Sequence, residues 1–217
     1  PRHTGLVQNF QRHEAHVGFS GPDAKIDLSG MFLGRGNDHI DTTLVVDHSE
    51  FGCESRELFK GVLDGRARGI FQGKVIVRPE AQKTDGKQMA KALMLSEEAE
   101  FDSKPELEIY ADDVVCGHGT TAAEIDPAML FYLRSRGVAR EDATALLVLS
   151  FLADAIAEIE DAELQGEIVT RLEAPVERPA LRFARLQNGL LEVLQQDFVE
   201  QRQFLHVPVV ALHEQLN

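Results

Sequence analysis

The sequence predicts a mainly β protein that turns helical near residue 126. Three observations carry that prediction. Residues 15–124 are a series of short β-branched and aromatic runs broken by Gly, Asp or Asn turns. No helical segment of about 10–15 residues separates these runs, so a doubly wound βαβ sheet is excluded. At Asp126-Pro127 the hydrophobic period changes from that of a strand to that of a helix. Such a strand series fits a sandwich, a barrel or a β-helix. No clean sequence period is present, so the residues leave β-helix and sandwich both open.

In chain order, alternating patterns predict strands over 15–19, 25–33, 39–46, 57–63 and 69–77. Gly34-Arg35-Gly36-Asn37-Asp38 reads as a turn. Residues 87–95 resemble a short helix, but Thr84-Asp85-Gly86 ahead of them reads as a turn feeding another strand. Strands over 106–111 and 114–118 follow. Asp126 then serves as N-cap and Pro127 as first helical residue, with Met129, Leu130 and Leu133 on one face and Gly137 as the stop. A second helix is predicted over about 141–159. Its stripe is Leu146, Leu149, Ala153 and Ile156, widened by Leu147, Leu152 and Ile159. So broad a stripe fits packing within the chain or a docking face for another subunit. Residues 167–172 suggest a short helix before Pro175, and 181–194 are weakly amphipathic around Leu186, Leu190 and Leu194. Residues 204–212 read as strand again, with Pro208 restricting that strand to an edge or bulge. The predicted organisation is a β core over 1–125, a helical region over 126–175 and an atypical tail over 176–217.

Composition narrows the function classes. The chain has 217 residues, 43% hydrophobic and 27% charged, a globular balance. Its formal charge of −14, from 22 basic and 36 acidic residues, argues against nucleic acid and anionic membrane as partners. No apolar run approaches the ~20 residues of a bilayer span. The two cysteines, Cys53 and Cys116, fit a reducing cytoplasm rather than a disulfide framework. The opening, Pro1-Arg2-His3, has no methionine and reads as the start of a fragment.

Candidate chemistry gathers in 104–120. On one strand Cys116 and His118 face the same way, and Asp112 shares their parity if no bulge intervenes. A thiolate, an imidazole and a carboxylate could share iron or a transferred sulfur species, the carboxylate alternatively fixing the histidine tautomer. Two ligands do not close a metal site, and a buried thiol beside a packed histidine is the structural alternative. Asp38-His39 and Asp47-His48 read as surface polar groups, and Cys53 beside Phe51 as a small core residue. No dinucleotide loop, phosphate loop or GxSxG elbow is present.

Several blocks together resemble a known family. They are Gly65-Arg66-Ala67-Arg68-Gly69-Ile70-Phe71-Gln72-Gly73-Lys74, Lys83-Thr84-Asp85-Gly86-Lys87-Gln88, the 104–119 run, and Leu130-Phe131-Tyr132-Leu133-Arg134-Ser135-Arg136-Gly137. Their order is similar to that of the SufB/SufD iron–sulfur cluster assembly family, and Tyr110-Ala111-Asp112-Asp113-Val114 before Cys116 and His118 is closest to its SufD side. The resemblance covers about 13–160. It implies a right-handed parallel β-helix with a C-terminal α-helical region.

The resemblance also implies a non-catalytic scaffold that acts with a SufB-like subunit, met through a β-helix edge, and a SufC-like ATPase, met through the C-terminal helices. His118 is then expected at an inter-subunit site for a transient iron–sulfur cluster or iron, with Cys116 and Asp112 secondary. No tightly bound cofactor is expected in the isolated chain, which could pair with a second copy. Leu146 and Phe151 are the expected ATPase contacts, Phe151 being placed outward by helical periodicity. Two alternatives stay open: a β-helix carbohydrate-active enzyme using surface carboxylates, and a purely structural subunit without cluster ligands. The early coils that the family would place before Pro1 are missing, and 180–217 departs from the family's ending, as if segments were joined out of order.

Overall fold

The computed structural model describes residues 10–157, 159, 161–173, 205–206 and 209–210. Eight strands come first: β1 (Phe10–Gly18), β2 (Lys25–Gly34), β3 (His39–His48), β4 (Glu54–Leu63), β5 (Arg68–Val77), β6 (Asp85–Met94), β7 (Glu100–Ile109) and β8 (Val115–Glu124). The chain alternates between two sheets, ordered β1-β3-β5-β7 and β2-β4-β6-β8, and every ladder among these eight is parallel. Each odd–even pair is one coil, so four coils stack into a parallel β-helix. Parallel pairing decides between the two open architectures, because sandwich sheets are antiparallel.

The register explains why no period is visible in the sequence. Lys25 lies beside Glu54, Glu54 beside Asp85 and Asp85 beside Val115 in one sheet. In the other, Phe10 lies beside His39, His39 beside Arg68 and Arg68 beside Glu100. The interval along the chain is not constant in either series. From β2 to β8 the strands are equal in length while the corners vary, so the coils drift out of phase in sequence but not in space.

Alternation sends every second side chain into the lumen. Leu28, Leu44, Val46, Phe59, Phe71, Val75, Val77 and Ala90 make its apolar core. Phe59 and Phe71 meet across it, tilted at 37° with ring centroids 4.9 Å apart. Gly61 faces Phe32, and a Cβ there would lie 2.2 Å from the ring. That glycine is a space for an aromatic, not a turn. Gly65 does turn: its φ is +68°, and the next amide, Arg66 N, donates to Gly36 O at 2.6 Å in the corner of the coil before. On the outside, Arg56–Asp85 (2.7 Å) and Arg78–Asp47 (2.7 Å) join neighbouring coils, each worth little at such exposure.

Strand 85–94 forms, as the turn at Thr84-Asp85-Gly86 implies. β7 starts at Glu100, earlier than expected, and contains Pro105. The proline is tolerated because β7 is the last strand of its sheet. β9 (Leu205–His206) and β10 (Val209–Val210) lie parallel on the opposite edge, beside β2. Leu205 and His206 pair with Ile26 and Asp27, and Val209 and Val210 with Gly30 and Met31, so both segments share one register. These four residues extend the β2 edge of that sheet. Pro208 lies outside the described residues.

The segment after Glu124 forms a second unit. It holds α1 (Pro127–Ser135), α2 (Arg140–Ala157) and α3 (Ala162–Glu173). Asp126 caps α1, its Oδ1 accepting from Ala128 N at 2.8 Å, and Gly137 follows the helix with φ +86°. α2 buries Ala143, Ala145, Val148, Leu149, Leu152, Ala155 and Ile156. Leu149, Leu152 and Ile156 match the expected stripe, but its centre is rotated toward Val148, and Leu146 and Phe151 are half-buried. Small alanines let that side approach its neighbours closely, which a count of large apolar residues misses. α3 is longer than the predicted 167–172. The amphipathic stretch 181–194 and Pro175 lie outside the described residues.

Candidate functional site at the open coil

Among the described residues the fourth coil, β7 and β8, ends both sheets. Its inward side chains have no coil above them among the described residues, so they are less buried than their counterparts below. On β8 the inward row is Cys116, His118 and Thr120, stacked in register on Gly86, Gln88 and Ala90 of β6. Cys116 and His118 do share one face, about 6.6 Å apart along the strand. His118 is exposed and Cys116 half-buried.

Asp112 does not join them. It lies exposed in the bend between β7 and β8, so strand parity never reaches it. The bend is shaped by the corner below: Lys83 N donates to Asp113 O at 2.6 Å, and Asp113 N donates to Gln82 Oε1 at 2.9 Å. Corner stacking, rather than a continuous strand, sets where the acidic pair points.

Burial pushes the Cys116 thiol above its ordinary value, and the nearby Asp85 and Glu57 charges add to the rise. Cys116 therefore rests as a thiol and must lose a proton to act as a soft ligand. Among the described residues no three His, Cys, Asp or Glu side chains gather as a metal site. A cluster held here needs ligands from outside them.

The lumen below the open coil is unexpectedly polar. Leu28, Glu57, Gln88 and His118 form one inward row across β2, β4, β6 and β8. Glu57 and Gln88 are each only 2% exposed, and among the described residues neither carboxylate oxygen nor either amide atom has a hydrogen-bond partner. Sequence reasoning missed both. Apolar residues lie on both faces of β4, and the unequal intervals between coils hide the row. His48, read as a surface group, is instead fully buried: Nε2 sits 2.9 Å from Ser55 Oγ, and the ring packs on Phe19 at 4.5 Å. Burial lowers its pKa to about 4 against the opposing pull of Asp47. Cys53 is a core residue, as expected.

Burial raises the Glu57 pKa from 4.5 to about 7. The Arg56 charge holds it down in part, while the Asp27 charge adds to the rise. The folded chain thus binds this proton more tightly than the unfolded chain. The cost of Glu57 is absent below about pH 4.5, grows with pH, and is complete above about pH 7, at roughly 3 kcal/mol. Glu57→Gln is expected to gain stability on the unaltered chain across that window, measured by urea titration at several pH values. Parallel pH profiles for the two proteins would show that Glu57 is not the buried carboxyl described.

The family model described as "SUF system FeS cluster assembly, SufBD core domain" matches residues 3–151. This chain belongs to the SufBD family. It is 34% identical over 161 residues to the iron-sulfur cluster assembly protein SufD of Escherichia coli, covering 74% of this chain and 38% of that one. A SufBD family protein of Mycobacterium leprae is 35% identical over 170 residues (75% of this chain, 43% of the relative). SufD of Bacillus subtilis is 33% identical over 150 residues (69% and 34%). The chain therefore spans less than half the length of these relatives. They make it a SufD-type member of the family, as its motif series implied. No described helix is long and apolar enough to cross a membrane.

Proposed function

We propose that this SufD-type chain is a non-catalytic scaffold subunit that completes a cluster-assembly site with a SufB-like subunit. The carrying observation is the open fourth coil, where Cys116 and His118 share the inward face of the last strand without enough companions to hold a metal. An incomplete ligand set at a sheet end suits a site closed by a second β-helix. Exposed Ile109, Tyr110 and Val115 flank the same coil and supply apolar area for that contact. His118 is the principal ligand in this reading and Cys116 the secondary one, with Asp112 at the rim in its bend. The cluster is cargo, held transiently, and the setting is cytoplasmic.

The helical unit would dock a SufC-like ATPase. Met129, Phe131 and Tyr132 stand exposed on α1, with Phe131 at 74%, and no residue of α1 is buried. Half-buried Leu146 and Phe151 on α2 belong to the same proposal. Co-expression with SufB-type and SufC-type partners tests the reading. A stable three-component complex is expected, with Phe131→Ala weakening ATPase retention about 10-fold or more. Failure of native partners to co-purify with the folded chain would reject it.

A further inference from the structure

We propose that Arg134 and Arg136, beside the exposed aromatics of α1, make this helix a basic–aromatic docking surface that pairs with carboxylates on the ATPase-type partner. This rests on the helical unit docking a SufC-like subunit and names the chemistry of that contact. The local charge is opposite to that of the whole chain. Residues 127–140 hold three arginines and no acidic side chain, in a protein whose formal charge is −14. Arg134, Arg136 and Arg140 are all exposed. On the β-helix Arg12, Arg68 and Arg78, exposed as well, are each paired with a carboxylate. The Arg134 and Arg136 guanidinium groups have no such partner among the described residues.

Helical spacing gathers these cations with apolar groups. Met129, Tyr132 and Arg136 follow one another at intervals of three and four, and Phe131 and Arg134 at three, so the two sets lie on neighbouring stripes. The Arg136 guanidinium sits over the Tyr132 ring, 4.3 Å from its centroid. Stacking covers the face of the guanidinium and leaves its N–H edges for a planar acceptor, the fork that a carboxylate matches. It also holds a long side chain in place before binding, which lowers the ordering cost of the contact. Arg134, in the last turn of α1, complements the helix dipole as well, but that role needs one cation and no aromatic neighbours. Lipid or nucleic acid would offer phosphates instead, and the rest of this acidic chain repels a polyanion. A carboxylate-bearing protein face fits both the charge and the apolar area.

The test is titration of the full chain with a purified SufC-type subunit at about 50 and about 400 mM NaCl. Affinity of the unaltered chain should fall about 10-fold between them. Arg136→Gln should weaken binding about 10-fold at the lower salt, and the double change with Arg134→Gln should remove most of the salt dependence. Arg136→Lys keeps the charge without the fork, and should bind more weakly than the unaltered chain. Arg66→Gln removes an exposed cation from a corner of the β-helix and should leave affinity unchanged. These are surface changes, and circular dichroism should show the fold kept. Affinity of the double variant within about 2-fold of the unaltered chain overturns the proposal, and docking then stands on Phe131→Ala alone. An equal loss in Arg66→Gln overturns it too, because the effect is then one of net charge. Retention of the unaltered chain on phosphatidylserine vesicles, abolished in the double variant, overturns it in favour of a lipid surface. No binding by the unaltered chain rejects the docking reading itself.

Discussion

His118→Ala is expected to leave the complex assembled while cutting its iron and acid-labile sulfide by about 10-fold or more. The separation of the two effects follows from where the residue sits. His118 is exposed on the last strand of its sheet, so truncating it removes little packing. Surface substitutions of that kind usually change stability by no more than about 0.5 kcal/mol. In the proposed site its contribution is ligation, so its removal takes away one of the two donors on the inward face of β8. Cys116→Ala should have the smaller effect, since that thiol is half-buried, raised by desolvation and in need of deprotonation before it can bind. Iron and sulfide are measured after reconstitution, alongside subunit stoichiometry. Wild-type loading in an intact His118→Ala complex would remove His118 from the site. Loss of loading together with loss of the complex would assign it a structural role instead.

Phe71→Ala is expected to destabilise the β-helix by about 3–5 kcal/mol. Phe71 is fully buried on β5 and packs against Phe59 of the facing sheet. It stands between two coils that both contact its strand, through Thr42 on one side and Ser103 on the other. A cavity there cannot be closed by moving one loop, because each coil is held in register by its neighbours. Phe131→Ala is the control: it removes the same atoms from an exposed site on α1 and should cost under about 1 kcal/mol. Urea denaturation followed by circular dichroism reads both. A loss below about 1 kcal/mol for Phe71→Ala would mean that the lumen is not packed as described.

These effects bear on what could be foreseen. Local chemistry made the strands legible: alternation placed Cys116 and His118 on one face, and Asp126-Pro127 marked the helix start. The ordered blocks around Gly65–Lys74 and 104–119 identified the family, which the SufBD match over 3–151 bears out. Those signals depend on residues close in sequence, or on a motif series already known from relatives.

The tertiary structure decided whatever depends on which residues stack across coils. A parallel ladder is set by corner length, and the corners here differ enough to make the interval between stacked residues uneven. Glu57 and Gln88 could be placed under His118 only after those intervals were fixed, and His48 could be placed in the lumen only once β3 was seen to face Ser55. Asp112 left the strand because its corner stacks on Gln82 and Lys83, one full coil earlier in the chain. Strand period is a property of neighbouring residues, and sequence carries it. Register between coils is a property of the packed lumen, where shape and burial act over distances that sequence order does not record.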